Sequence, residues 1–263
     1  MSTGSRLTLE VDGRMATLSL TRPDRGNSID LEFGEEFLAS ALEVASHPVR
    51  VLVIRSSGPH FCFGGDLKEM SEAHGALRRG HLLKLTSYLH TAVSYLANAP
   101  YVIITATTGA CAGAGFGLVL ASDIVIGGRS ATYTPAFSAV GLTPDTGVSF
   151  FLPQVVGRRR ASELLLTNRT LNAEEAWAWG ILNQVVEDEE VTARATALAQ
   201  RLTQGPPQAL STTKRLLASS LTSLESHLAR ESFAIAEQGV SAEAEEGIRA
   251  FLDKRKAKFM HAE

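Results

Sequence analysis

The sequence predicts an α/β fold. Short apolar runs of strand length recur in the first half of the chain, at residues 51–54, 102–107 and 124–126. Glycine-rich turns and segments of helical period separate them, the alternation that builds layers of sheet and helix. After Gly205-Pro206-Pro207 the pattern is helical, with no strand candidate.

Each element has a local reason. Leu7, Leu9 and Val11 alternate with polar residues, Asp12-Gly13 signals a hairpin turn, and residues 15–20 continue as a second strand. Arg22-Pro23-Asp24 breaks the pattern. Ser28 and Asp30 are N-cap candidates for a helix running to residue 46, whose Leu31, Phe37, Leu38, Ala41, Leu42 and Ala45 follow a period of about 3.6. Residues 51–54 read as a strand buried on both faces, and a loop through Gly58-Pro59-His60 leads to Phe61-Cys62-Phe63-Gly64-Gly65-Asp66. Residues 79–97 read as a helix, 102–107 as a buried strand, 113–121 as a helix opening on glycines, and 124–126 as a further strand. Trp177 and Trp179 fall in a helix over 174–180, where packing is their default role. Helices are expected over 210–219, 224–238 and 241–258. The chain thus divides into a core of residues 1–204 and a helical segment, 205–263, that needs the core or another subunit to bury its apolar face.

Bulk properties narrow the function. With 263 residues and 44% hydrophobic content, the chain can bury a sizeable core. Lys+Arg 25 against Asp+Glu 28 gives a formal charge of −3, so no electrostatic reason exists to expect nucleic acid or an anionic membrane as partner. Two cysteines make a disulfide framework unexpected, and no apolar signal segment is visible in residues 1–9, so the expected location is cytoplasmic. Residues 101–122 carry no charge, but four glycines and several threonines break the run, and a strand, a turn and a buried helix explain it better than a membrane span.

Two glycine-rich turns bear on chemistry: Phe63-Gly64-Gly65-Asp66 after a strand, and Gly113-Ala114-Gly115 at a helix start. Glycine lets backbone approach a ligand, a helix start presents unpaired amides, and two such amides aimed at one point form an oxyanion hole. Each turn alone is compatible with a purely structural role; a phosphate loop lacks its Gly-Lys-Ser/Thr. From the residues alone, Asp145 reads as the cap of a helix starting near Thr146. Cys62 and Cys111 flank the two turns and read as buried packing. No metal-ligand spacing is present, so no metal is expected.

Taken together, Leu20-Thr21-Arg22-Pro23, the stretch from Phe61 to Met70, Gly109 to Gly117, Ala121-Ser122-Asp123-Ile124, Gly141 to Asp145 and Leu171 to Gly180 resemble, in order and spacing, the enoyl-CoA hydratase/isomerase (crotonase) superfamily over nearly the whole chain. The resemblance implies a crotonase-type spiral of repeated ββα units, a C-terminal helical trimerisation segment, and a homotrimer or dimer of trimers. It implies an acyl-CoA thioester as substrate, with no cofactor beyond the coenzyme A moiety. Carried over residue by residue, the oxyanion amides fall on Phe63 and Ala114. The substrate contacts fall on Arg25, on the loop of Gly64, Gly65, Asp66, Leu67 and Lys68, on Met70, His90 and Phe137, and on Phe251 and Lys254 for the adenine end.

The two glutamates of the family's hydratases align with Gly117 and Phe137, neither of which moves a proton. The local strings around Phe137 and Asp145, and Glu246-Gly247 with Ala250-Phe251-Leu252, are similar to the epoxyphenylacetyl-CoA isomerase group. That implies an isomerase with Asp145 as proton shuttle. His90 and the run from Leu166 to Leu171 resemble the 4-chlorobenzoyl-CoA dehalogenase group, in which the aspartate attacks and the histidine activates water. Phe137 stands where that group has tryptophan. A third reading is an acyl-CoA-binding subunit with little or no hydratase activity.

Overall fold

In the computed structural model, which describes residues 5–219 and 224–259, β1 (Leu7–Asp12) and β2 (Met15–Leu20) pair antiparallel across Asp12-Gly13, with Leu7 opposite Leu20. α1 (Leu31–Ala45) is capped by Asp30, which accepts from Phe33 N at 2.8 Å, while Ser28 donates to Asp66 instead. Then come β3 (Val51–Ser56), α2 (Leu67–Glu72), α3 (Gly75–Ala97) and β4 (Val102–Thr107). β5 (Ala110–Ala112), α4 (Ala114–Leu120), β6 (Ile124–Gly128) and β7 (Thr132–Thr134) follow. The core closes with α5 (Val148–Val156), α6 (Arg158–Thr167), β8 (Leu171–Asn172), α7 (Ala173–Ala178), β9 (Gln184–Val186) and α8 (Val191–Thr203). Beyond it lie α9 (Pro207–Ala218), α10 (Leu224–Gly239) and α11 (Ala242–Leu252).

A six-stranded sheet has the order β1-β2-β3-β4-β6-β9, parallel except for β1, and a three-stranded sheet has the order β5-β7-β8. A long strand, a short strand and a helix form one unit: β4-β5-α4, then β6-β7-α5. β3, Cys62 and α2 form an earlier turn of the same kind, for the main chain at Cys62 pairs in parallel with that at Cys111 of β5, as β5 pairs with β7. The result is a spiral of ββα units in which successive helix starts gather beside the short strands.

The apolar runs of β3 and β4 are buried on both faces. Leu52, Ile54 and Ile103 join a core with Phe33, Phe37 and Phe116, while Val51, Val53 and Ile104 pack with Val191, Ala195 and Ala199 of α8. Burial on both faces explains why these strands show no polar alternation.

The helix expected over 79–97 begins earlier, at Gly75, and the one expected over 241–258 stops at Leu252. Lys254 takes a left-handed φ of 54°, and Arg255 N returns to Ala250 O at 3.0 Å, a Schellman-type stop. α9 is anchored to the core by Lys214, which donates to Leu96 O and Tyr101 O at 3.0 Å and pairs with Asp123 at 2.9 Å. The uncharged run 101–122 is divided among β4, β5 and α4; no described helix is long and apolar enough to cross a membrane.

Candidate active site

Two turns of the spiral touch through bare backbone. Gly64 has φ 84°, and a Cβ there would stand 2.8 Å from Ala112 O and 3.3 Å from Ala114 N. Only glycine fits both the conformation and the approach. Beside this contact opens a cavity of about 680 Å³. Arg25, Phe63, Gly65, Asp66, Leu67, Met70, Ala114, Phe137 and Asp145 line it. Leu82, Thr86, Ala136, Ala139, Val140, Leu142 and Thr143 extend its mostly apolar wall and were not singled out from sequence.

Backbone hydrogen bonds decide which amides face the cavity. Phe63 N donates to Gly26 O at 2.9 Å, Asp66 N to Ile29 O at 2.8 Å, and Gly113 N to Thr134 O at 3.0 Å. Gly64 N lies 3.4 Å from Cys62 Sγ. The amides of Gly65 and Ala114 have no protein acceptor among the described residues, and both residues line the cavity. This corrects the expectation for Phe63: its amide is turned toward Gly26 O, and the uncommitted amide of that turn is the one at Gly65. Phe63 contributes its ring, which lies where a Gly26 side chain would otherwise be, 4.9 Å from the His60 ring. Ala114 is the first residue of α4, so its N–H is one of the donors a helix leaves open.

The cavity has two carboxylates, and they differ in what they touch. Asp66 caps α2, accepting from Lys68 N at 3.0 Å and Glu69 N at 3.2 Å, with Ser28 Oγ 3.3 Å from its second oxygen. Asp145 accepts from the Thr146 hydroxyl on Oδ1 at 2.9 Å, and Oδ2 has no protein partner among the described residues. It does not cap α5, whose N-cap is Gly147. Burial raises the Asp145 carboxyl above its ordinary value, and the Thr146 hydrogen bond offsets this only in part. A carboxylate so raised is suited to proton transfer.

Strain concentrates next to this group. Thr146 has φ 50° and Ala136 φ 64°, left-handed values that non-glycine residues seldom adopt. Thr146 also fills the space beside Gly117: a Cβ on Gly117 would lie 2.7 Å from Thr146 O and 2.8 Å from its Cβ. The position aligned with a hydratase glutamate therefore has no room for a side chain in this arrangement.

The remaining expected residues are dispersed. His90 does not line the cavity; it is exposed on α3, where its Nε2 accepts from Thr146 N at 3.1 Å. Lys68 is exposed and outside the lining, and Lys254 sits beyond the end of α11, likewise outside it. The Phe251 side chain lies outside the described residues. Cys62 and Cys111 are buried behind the two turns, and burial pushes the Cys62 thiol up to about 12, which leaves it protonated and packed. Trp179 is the C-cap of α7, and the guanidinium groups of Arg160 and Arg169 lie over its ring at 4.8 and 5.1 Å from the centroid.

The family model for enoyl-CoA hydratase/isomerase matches residues 10–262, and the chain belongs to that family. It is similar to the 1,2-epoxyphenylacetyl-CoA isomerase of Escherichia coli K12, with 36% identity over 252 residues, covering 95% of this chain and 96% of that protein. The 4-chlorobenzoyl coenzyme A dehalogenase-2 of an Arthrobacter species is 32% identical over 201 residues, 76% of this chain and 73% of the relative. The crystal structure of an enoyl-CoA hydratase from Mycobacterium smegmatis superposes with a TM-score of 0.90 at 28% identity, covering 97% of this chain and 99% of that one.

Proposed function

We propose that this protein is an acyl-CoA isomerase that shifts unsaturation, or opens a ring epoxide, through a thioester enolate. The Gly65 and Ala114 amides receive the thioester oxygen, and Asp145 moves the proton. For a 3-enoyl-CoA, Asp145 Oδ2 takes a proton from C2. The electron pair passes to the thioester oxygen, where the amides hold it. The same carboxyl then delivers the proton to C4, and the double bond comes to rest between C2 and C3. One base suffices, because the proton removed is the proton returned.

The observation that carries this reading is the single uncommitted carboxylate of the cavity, with Oδ2 open. Water addition needs a second acid–base group. The space beside Gly117 is occupied by Thr146, and Phe137 supplies only a hydrocarbon ring. The similarity to an epoxyphenylacetyl-CoA isomerase adds support. Asp145→Asn, assayed on a 3-enoyl-CoA, is expected to lose turnover with substrate binding retained; parental turnover would refute the assignment.

A displacement reaction on an aroyl-CoA, with Asp145 as nucleophile and His90 as base, is favoured by their proximity through Thr146 and by the dehalogenase relative. It is disfavoured by the His90 Nε2 lone pair being engaged by Thr146 N. Halide release from 4-chlorobenzoyl-CoA decides between the two. We further propose a homotrimer or a dimer of trimers: Leu217, Phe233, Ile235, Ile248 and Leu252 of the C-terminal helices are all at least 60% exposed in the single chain, an apolar surface that suits a subunit contact. Light scattering should then read a multiple of three 28.1 kDa chains.

A further inference from the structure

We propose that His90 and Thr146 are positioning residues that fix which oxygen of Asp145 carries the proton. The inference rests on Asp145 being the proton shuttle. Thr146 is fully buried and β-branched, yet holds φ 50°, a conformation such residues seldom adopt unaided. Its amide finds its acceptor in a side chain, the Nε2 of His90 at 3.1 Å. That bond reaches across from α3 and holds the Thr146 peptide in place. A backbone N–H can only donate, so Nε2 is the acceptor in this bond and carries no proton while it is formed.

The second link runs from the Thr146 side chain. Its hydroxyl donates to Asp145 Oδ1 at 2.9 Å. A hydroxyl has one proton to donate, so Oδ1 is the hydrogen-bonded oxygen and Oδ2 is left for the substrate. The chain of contacts is therefore His90 ring, Thr146 peptide, Thr146 hydroxyl, Asp145 carboxylate. His90 stays out of the cavity lining while Asp145 lies in it. The histidine acts through threonine and touches no reacting atom. Gly117 closes the remaining side, since its missing Cβ is what lets Thr146 O and Cβ sit so close to α4.

The two links make opposite demands on substitutions. Glutamine at 90 can present an amide oxygen near the place of Nε2, whereas leucine cannot accept a hydrogen bond. Serine at 146 keeps the hydroxyl, whereas valine keeps the shape and loses it. The test measures kcat and KM on a 3-enoyl-CoA for His90→Leu, His90→Gln, Thr146→Val and Thr146→Ser, with Asp145→Asn alongside and thermal melts on all five. His90→Leu and Thr146→Val are expected to lower kcat on the order of 10- to 100-fold with KM within about twofold. His90→Gln and Thr146→Ser should stay within about fivefold of the parent kcat on the same reasoning.

A His90→Gln variant as impaired as His90→Leu would overturn the proposal, because it would mean that the ring handles a proton itself. Parental kcat in His90→Leu and Thr146→Val, with Asp145→Asn inactive, would overturn it while leaving the shuttle intact. Parental kcat in Asp145→Asn would overturn the shuttle and this inference together. The Thr146 pair answers the question by itself if a His90 variant does not fold.

Discussion

Replacing Gly117 by alanine sets two effects against each other. Gly117 is in the middle of α4, and alanine there gains about 1 kcal/mol of intrinsic helix stability. The added Cβ, however, would stand 2.7 Å from Thr146 O, 2.8 Å from Thr146 Cβ and 2.9 Å from Thr146 Cγ2, where ordinary contact begins at 3.4 Å. Thr146 must then retreat by about 0.7 Å, and a rotamer change does not relieve a contact with its backbone oxygen. Its peptide is also held from the other side by His90. Overpacking against fixed backbone costs up to about 3 kcal/mol, so the steric effect wins and leaves a net loss of about 2 kcal/mol. For a chain of this length that lowers Tm by roughly 4–8 °C. Because Thr146 carries the hydroxyl on Asp145, kcat should fall about tenfold or more as well. Denaturant unfolding and turnover of a 3-enoyl-CoA, measured on the same preparation, check both numbers. A Gly117→Ala protein that is more stable than the parent and equally active would refute the close packing of α4 on Thr146.

Other perturbations have equally definite outcomes. Burial raises the Asp145 carboxyl, so its charged form opposes folding: its contribution is most favourable below the unfolded value and is lost as pH rises through the folded one. Asp145→Asn is therefore expected to melt higher than the parent at pH 7, with the gap closing as the pH is lowered below the ordinary carboxylate range; a gap independent of pH contradicts this. Lys214→Met keeps volume but strips Asp123, Leu96 O and Tyr101 O of their buried partner, and should cost about 2–3 kcal/mol in urea unfolding, discounted for the partly exposed Asp123. Neither buried cysteine should react with iodoacetamide at pH 8 in the native protein, and both should in denaturant, as counted by intact mass; native labelling of Cys62 would contradict its raised value of about 12.

What the sequence made legible follows the range of the forces involved. The hairpin at Asp12-Gly13 and the Asp30 cap rest on neighbours within a few residues, and β3 and β4, whose partners are distant in the chain, were readable because burial on both faces leaves an uninterrupted apolar run. The strands β5, β7 and β8 have only two or three residues, too few for a period, and exist because the spiral stacks them. The glycine doublet Gly64-Gly65 marked the site, but which amide faces it depends on Gly26 O, 37 residues upstream of Phe63, accepting from that residue. Thr146 left no signal at all: a threonine with positive φ looks like any other until Gly117 and His90 are seen beside it.

The meeting of Gly64 with Ala112 and Ala114 has a consequence for how such a site can change. The Gly65 and Ala114 donors belong to the main chain, so no exchange of one ordinary side chain for another deletes either; only proline or a collision of backbones does. On the proposed reading, the groups that select the reaction are side chains mounted around that fixed point, here a phenylalanine at 137 and an aspartate at 145. An acid can be gained or lost at these two positions while the two main-chain donors stay where they are. On that reading the anchorage and the chemistry are separately inherited, one written in the path of the chain and the other in two replaceable letters.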